Sequence, residues 1–415
     1  MIAVIAIAFA SIIWYRNQKN KKFYETNVRS LQEITSDSPN QKEWKNQLGF
    51  YVYPLQPEDM PDERRLTEIT NSNVLACIND LVTEAFQAGN AAANVVKANN
   101  QTLYQIIIPP WAKLAKSQDM DRAFRVYYHG ANGIKAHVNI KPVNTAADIV
   151  ANSVASAMGV ASIVVGQYYM AQISAEMNKI SADISKIKDF QDNEYKSRVL
   201  ALVAQIQKMA EFKADILDND ELRTSEIANL NNLEQECIQL LGQANLTIVE
   251  ISKKNALNYA EYEKQLYEVQ SWFMYQKTLV KVLFQIAELK HALHLGKVSR
   301  KQCNTLLYTY LEQSKDAMSQ LESWHMAHIG EFGINLKERK RKRVGLESFI
   351  YNIIARINEE KKYRPISDET AKKIVAQING YDITQKINGI DLYQEDVKII
   401  VKDGKAYYFP QEMAQ

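Results

Sequence analysis

Four of the six histidines form two pairs with a spacing of three residues, His291/His294 and His325/His328. Residues three apart on a helix share one face, so each pair has a spacing that metal sites use. One pair supplies too few ligands by itself. If Gly296 is the turn of an antiparallel hairpin and Ser299 opens the next helix, His325 lies about 25 residues into that helix, roughly 38 Å along it, and the pairs stay apart. The sequence therefore predicts neither a metal site nor a cofactor.

Recognisable catalytic motifs are also missing from the sequence. It contains no Gly-x-x-x-x-Gly-Lys-Ser/Thr, Gly-x-Gly-x-x-Gly, Cys-x-x-Cys, His-Glu-x-x-His or Gly-x-Ser-x-Gly pattern. The three cysteines are too few and too widely spaced for a disulfide framework, and they fit a reducing compartment. We therefore expect a protein that acts by binding and is not an enzyme.

The composition favours long helices. The chain has 415 residues, 46% hydrophobic and 24% charged, which excludes wholesale disorder. Only 14 Gly and 9 Pro disfavour turn-dense β-sandwiches and nucleotide-binding folds with glycine loops. Lys and Arg number 50 against 48 Asp and Glu, so the net charge of +2 does not favour nucleic acid as a partner of the whole chain.

The first 15 residues have the pattern of a membrane anchor. They carry no charged side chain and end in Trp14 and Tyr15, which Arg16 and three lysines follow by residue 22. This order is typical of a helix that leaves the bilayer on the cytoplasmic side. Fifteen helical residues span about 22 Å against a ~30 Å hydrocarbon core, so a signal peptide and a buried core helix remain alternatives. We expect a single N-terminal anchor (1–15) in the cell membrane and a cytoplasmic body.

The next two regions differ in pattern. Residues 16–65 are rich in turn formers and are predicted to be a tether. Residues 66–145 are predicted to form a small α+β region with a β-like insertion near 105–140. Its predicted elements are a helix over 66–98, a strand over 105–110, and strands over 124–128 and 134–138 joined by a glycine turn.

Residues 146–330 predict long antiparallel helices packed as a bundle or coiled coil. Two apolar seams have steps of three and four residues, with charged residues beside them. The first contains Ile173, Met177, Ile180, Ile184 and Ile187; the second contains Leu230, Leu233, Cys237, Leu240, Ala244 and Ile251. Such seams bury themselves against other helices, so we expect a homo-oligomer or a helical protein partner.

A ridge of small residues opens this region. Ala147, Ala151, Ala155 and Gly159 recur every four residues, in a stretch without charge beyond Asp148. On a helix, such a ridge allows close approach of a second backbone, either inside a membrane or inside a soluble bundle. In the bundle, Gly159→Leu should overpack the crossing; in the membrane, the ridge should join copies of the chain.

The segment 146–166 beside long helices resembles the plan of helical pore-forming toxins of the haemolysin E and Bacillus enterotoxin type. The resemblance is architectural and includes no motif. It implies an alternative function, membrane permeabilisation with 146–166 as the inserting segment.

The C-terminal region, 331–415, combines a basic segment with a small α+β appendix. The appendix is predicted to be a helix over 368–379 and a β-hairpin over 397–409. Basic side chains in this position suit anionic lipid headgroups, although nucleic acid or simple solvation would also account for them. The candidate lipid-facing residues are Lys337, Arg339, Lys340, Arg341, Lys342 and Arg343.

Together these patterns predict a mainly α protein with an N-terminal membrane anchor and a C-terminal hairpin. The predicted function is that of a membrane-anchored helical scaffold, or a membrane-coupled effector, that acts through coiled-coil contacts between proteins. The lipid bilayer and a helical protein, either a second copy or another chain, are the predicted partners.

Overall fold

The computed structural model describes residues 50–55, 58, 60–88, 103–108, 115–116, 124–130, 133–140, 146–187, 193–343, 362–382, 389–403 and 405–410. The predicted anchor (1–15) and most of the predicted tether lie outside these ranges. The described residues are mainly helical, with a small antiparallel sheet, as the sequence predicted. They divide into two compact units. One takes its described residues from Met1–Met60, Cys77–Met158 and Ile399–Lys405, and the other from Pro61–Ala76, Gly159–Lys398 and Ala406–Gln415.

The helices of the described residues extend over most of the second unit. They are α1 (Ser72–Ala88), α2 (Ala146–Ser185), α3 (Asn193–Glu211), α4 (Lys213–Asp218), α5 (Asp220–Ser252), α6 (Tyr259–Leu293), α7 (Arg300–Cys303), α8 (Thr305–Phe332) and α9 (Asp368–Asn379).

The described strands form three antiparallel arrangements. The largest has the order β1-β3-β9-β10-β2, the next β4-β5-β6, and the last β7-β8. Their bounds are β1 (Tyr51–Pro54), β2 (Thr67–Ile69), β3 (Leu103–Ile108), β4 (Ala115–Lys116), β5 (Phe124–Gly130), β6 (Gly133–Ile140), β7 (Lys340–Lys342), β8 (Tyr363–Pro365), β9 (Val397–Lys402) and β10 (Lys405–Phe409). The predicted strand pair over 124–138 is confirmed as β5 and β6, with Val126 opposite Val138.

One sequence prediction is corrected by this sheet. The helix predicted from residue 66 begins at Ser72, because Thr67–Ile69 is a strand that pairs with β10, with Ile69 opposite Ala406. The predicted hairpin over 397–409 is present as strands β9 and β10. A three-residue strand with a partner more than 300 residues away leaves no local pattern in the sequence.

Polar caps and glycines set the ends of the long helices. The Asn219 side chain accepts hydrogen bonds from the backbone N–H groups of Glu221 and Leu222, so helix α5 begins after Asn219. Asn258 caps α6 in the same way. At the end of α8, Gly333 adopts a left-handed conformation with a φ of 58°.

Helix α6 is central to its unit, since 22 of its 35 residues are buried. The α5 and α6 helices run antiparallel, with the Cys237 thiol beside the carbonyl of Leu279 and Lys290 paired with Glu234. The predicted seams are confirmed as buried: every seam residue in α2, α5 and the turn after α2 is at most 6% exposed. These three-to-four-residue patterns therefore predicted the core correctly.

Within the described part of the chain, none of the helices combines the length and the apolar composition needed to cross a membrane.

Candidate docking groove and buried histidine clusters

A groove runs along the outside of the second unit between α5 and α8. These two helices are parallel to each other: Asn245 contacts Ser314, and ten residues further on Trp324 Nε1 donates to the carbonyl of Lys254. The groove encloses about 860 Å³ and follows α5 from Ile238 to Glu250. Those residues extend for roughly 18 Å along the helix axis.

The walls of the groove are apolar and amide side chains. Ile238, Val249 and Tyr310 are partly buried there, whereas Leu246 is 67% exposed. Glutamines from both helices alternate with them. The lining also includes Gly242, where an added Cβ would meet no atom of the described residues within 4 Å. The groove therefore has open space at its centre and a large unburied apolar side chain beside it.

A buried polar network forms the floor. Asn245 is 7% exposed, and its Oδ1 accepts from Gln276 Nε2 at 2.7 Å and from Ser314 Oγ at 3.3 Å. Tyr381 Oη donates to Gln276 Oε1 at 3.2 Å. The other end of the Asn245 amide is different, because Nδ2 has no hydrogen-bond partner among the described residues. A buried donor left without a partner typically costs about 1–3 kcal/mol.

The charge of the lining is one-sided. Glu250 and Asp316 line the groove, and both are exposed. Neither Lys nor Arg is among its described lining residues. The groove thus presents two carboxylates and no compensating cation of its own.

The first histidine cluster lies at the far end of α6. His291 is 1% exposed; its Nδ1 is 3.1 Å from the carbonyl oxygen of Val298, and its Nε2 is 3.0 Å from Asp391 Oδ1. Both partners are acceptors, so both ring nitrogens must donate and the ring must be an imidazolium. Burial by itself lowers the pKa of His291, but the hydrogen bonds to Asp391 and Cys303 outweigh it and raise the pKa to about 9.

Neighbouring contacts hold Asp391 in place. Arg300 donates to the carbonyl oxygen of Gly389 at 2.8 Å and forms a two-point ion pair with the buried carboxylate of Glu288. Although burial opposes it, the hydrogen bond to His291 keeps the pKa of Asp391 below its usual value. A C-terminal loop is therefore attached to the end of α6 by charge.

The second cluster lies where α8 crosses the start of α6. His325 is fully buried; its Nδ1 is 2.8 Å from Tyr262 Oη, and its Nε2 is 2.9 Å from Gln377 Oε1. The Gln377 oxygen can only accept, so Nε2 carries the proton and Nδ1 accepts from the tyrosine hydroxyl. Burial lowers the pKa of His325 to about 4, so this ring is neutral at pH 7.

The neighbouring His328 completes that cluster. Its Nε2 accepts from the backbone N–H of Ala256 at 3.2 Å, and its Nδ1 donates to the carbonyl of Trp324 at 2.8 Å. Its ring stacks on Tyr262, with 5.0 Å between centroids and 14° between planes. The nitrogens of both histidines of this pair therefore have partners within the protein.

Comparisons with protein-family models, with curated proteins and with solved structures found no match. What the molecule does has to follow from its own side chains. Among the residues that the structure describes, no group of three or more His, Cys, Asp or Glu side chains is placed to hold a metal ion. Cys237 and Cys303 are buried, and burial raises the pKa of the Cys237 thiol well above its usual value.

The small-residue ridge is only partly visible. Helix α2 contains Ala147, Ala151, Ala155 and Gly159, but the side chains of the three alanines lie outside the described set. Gly159 is exposed, and a Cβ built there would meet no described atom within 4 Å. A close helix crossing at Gly159 is therefore not seen, and the role of the ridge stays a prediction.

The basic segment includes strand β7, which pairs with β8, and it has further contacts within its unit. Arg339 makes an ion pair with Asp368, and the Arg341 guanidinium lies 4.1 Å from the centroid of the Tyr259 ring. Lys337 is exposed. The described segment comprises Lys337, Arg339, Lys340, Arg341, Lys342 and Arg343, with β7 at Lys340–Lys342. At least two of these charges therefore have partners within the chain, and lipid contact by the segment stays a prediction.

Sequence reasoning missed the groove and its floor. One signal was present, since Asn245 follows Ala244 and precedes Ile248 in an apolar seam. A polar residue at such a position often sets the register of packed helices. Its partners Gln276 and Ser314 come from two other helices and could not be assigned from spacing.

Proposed function

We propose that the protein is a membrane-anchored helical scaffold, with a cytoplasmic body that binds helical segments of other proteins. One observation carries this proposal: the bundle leaves an open groove that combines an exposed leucine, Leu246, with a buried amide nitrogen, Asn245 Nδ2, that has no partner among the described residues. Both features lose their cost when a second surface covers them.

The placement of the groups capable of chemistry supports binding over catalysis. His291, His325 and His328 make hydrogen bonds to partners inside the protein, and the thiols of Cys237 and Cys303 are buried. Catalytic groups need access to a substrate. These side chains instead stabilise helix contacts.

The proposed membrane attachment depends on the order of residues at the N-terminus. An uncharged run over 1–15, an aromatic pair and then basic residues form the sequence of an anchor on the cytoplasmic side. Lys337 and its basic neighbours would add affinity for anionic lipids, about 1 kcal/mol for each group near the surface.

Membrane fractionation of cells that express the full chain tests the anchor. We expect the protein in the membrane pellet after a high-salt wash, because salt screens headgroup contacts but leaves a buried apolar helix in place. Deletion of 1–15 should move the protein to the supernatant. As a matched control, Lys337→Gln with Lys342→Gln should leave it in the pellet. A full-length protein in the low-salt supernatant would show that the anchor is wrong.

A further inference from the structure

The floor of the groove contains a hydrogen-bond donor that the described chain does not satisfy. Asn245 Nδ2 is buried without a partner, while Oδ1 of the same side chain is fixed by Gln276 and Ser314. Because Gln276 donates to Oδ1, the amide orientation is set, and Nδ2 is the end left over. An occupant of the groove that brings an acceptor oxygen to this nitrogen would satisfy the donor.

We propose that the α5–α8 groove binds an amphipathic helix from another protein, with Lys or Arg beside its apolar stripe and one polar residue within that stripe. This inference rests on the proposed scaffold function and names its partner class.

The shape of the groove suits a helix. Two parallel helices in contact leave a groove along their length, and a third helix packs its ridge of side chains into it. The 18 Å from Ile238 to Glu250 matches about three helical turns. The empty space at Gly242 accommodates a large side chain of the partner, which would also cover Leu246.

The unpaired amide defines one residue of the partner. Backbone carbonyls within a helix are already engaged, so we expect a side-chain oxygen as the acceptor; because Glu250 and Asp316 disfavour a further carboxylate, Asn, Gln, Ser or Thr suits the site best. In coiled coils, one polar residue in an apolar seam fixes register at some cost in stability. Asn245 would fix the register of the partner in the same way.

The charge of the groove argues against a second copy of the same chain. In a symmetric dimer the same surface meets itself. Glu250 and Asp316 of both copies would then share one groove, and like charges in an interface are unfavourable. A helix flanked by Lys or Arg has the complementary charge.

Designed peptides can measure each of these features on the full-length protein in detergent. The probe is a fluorescent peptide of about 20 residues, because shorter isolated helices are marginal in water. It has a leucine stripe with one Asn and flanking lysines. One comparison peptide replaces the lysines by Glu, and a second replaces the Asn by Leu. Fluorescence anisotropy gives the dissociation constants.

Gly242→Leu is the variant that should close the groove. The added side chain enters open space inside a helix, so it should fold normally while it occupies the site of the partner. Gly330→Leu in α8 is the matched control, since a Cβ there also meets no described atom within 4 Å and Gly330 does not line the groove. Circular dichroism verifies that both variants fold.

We expect the lysine peptide to bind the wild type and Gly330→Leu equally. Its affinity should fall at least about tenfold with Gly242→Leu, and the glutamate peptide should bind at least about tenfold more weakly than the lysine peptide. Replacement of the peptide Asn by Leu should weaken binding about threefold or more, because Nδ2 then stays unpaired.

Several results would overturn the inference. The proposed partner class would be wrong if the lysine and glutamate peptides bound equally. It would also be wrong if Gly242→Leu had no effect on binding, or if the lysine peptide did not bind. A dimer that Gly242→Leu converts to a monomer in light scattering would assign the groove to a second copy. In these cases the anchored scaffold survives if deletion of 1–15 still releases the protein, so the two proposals fail separately.

Discussion

The two ends of the α5–α6–α8 bundle each bury a histidine, and they hold it in opposite charge states. His291 contacts two acceptors, Val298 and Asp391, and is an imidazolium with a pKa of about 9. His325 contacts a donor and an acceptor, Tyr262 and Gln377, and is neutral with a pKa of about 4. The exposed fractions of the two residues are 1% and 0%. Burial therefore has different outcomes at the two sites: it keeps His325 neutral, whereas at His291 the hydrogen bonds to Asp391 and Cys303 outweigh it.

The largest expected effect comes from removing the carboxylate partner of His291. Asp391→Ala should lower the free energy of unfolding at pH 7 by about 3–5 kcal/mol, because it leaves a buried cation without its counter-ion or forces it to lose its proton. Urea titration followed by circular dichroism measures this change.

Two further variants show whether the loss of stability in Asp391→Ala comes from the charge of His291. Asp368→Ala removes an exposed ion pair with Arg339 and should cost less than about 1 kcal/mol. Asp391→Asn can donate its amide to a neutral His291, so we expect a loss between these two values. Equal losses for Asp391→Ala and Asp368→Ala would mean that His291 is not charged.

The wild-type protein should lose stability on both sides of neutral pH. Because its pKa is raised, His291 makes its full contribution to the free energy of unfolding below pH 6.5. This contribution is lost as the pH rises through about 9. The lowered pKa of His325 gives stability that is complete above pH 6.5 and is lost as the pH falls towards about 4. Each shift corresponds to about 3 kcal/mol.

The variants should separate the two sides of this pH profile. Unfolding free energies measured from pH 4 to pH 9.5 should show that Asp391→Ala removes the alkaline decrease and keeps the acidic one. A profile in which both decreases persist in Asp391→Ala would contradict the assignment of the alkaline one to His291.

His325→Phe should have the reverse effect on the profile and a smaller effect on stability. The Tyr262 hydroxyl and Gln377 lose a partner, but the apolar ring keeps most of the packing, so we expect a loss of about 2 kcal/mol at pH 7. The acidic decrease above pH 4 should become shallower, since no histidine remains there to take up a proton against burial. An unchanged acidic slope would assign it to other groups.

The smallest effect is expected outside both clusters, at Gly159. The sequence predicted overpacking for Gly159→Leu, but the open space around the Cβ position predicts an unchanged or slightly higher melting temperature. Differential scanning calorimetry measures the melting temperature. A decrease of several degrees would support the close helix crossing that the sequence predicted at Gly159. Release of dye from liposomes by the wild type, lowered in Gly159→Leu at an unchanged melting temperature, would favour the pore-forming alternative.

The sequence predicted local structure well wherever a periodic pattern and a cap coincide. Helix α9 has the bounds Asp368–Asn379 that were predicted, because Ser367 caps it and its apolar face repeats at helical spacing. The start of α5 after Asn219 was likewise predictable. The missed strand β2 has three residues and a distant partner, so its existence depends on the tertiary structure alone.

The candidate sites were predictable only in part, for the same reason. The i,i+3 spacing singled out both histidine pairs, yet the side chains that contact His325 Nε2 and His291 Nε2, Gln377 and Asp391, come from the C-terminal region. Asn245 interrupts an apolar seam and is visible as such. The sequence does not show that Asn245 Nδ2 lacks a partner, because this depends on the positions of Gln276 and Ser314 in the fold.

The distance along the chain between His291 and Asp391 has a consequence for the order of synthesis. A ribosome completes α5, α6 and α8 before it reaches Asp391, which follows His291 by 100 residues. Until then the imidazole lacks its carboxylate, and burial favours the neutral ring. When the C-terminal loop docks at neutral pH, the histidine takes up a proton from water. Completion of this fold is thus a proton-consuming step, and a rise in pH towards 9 makes it less favourable.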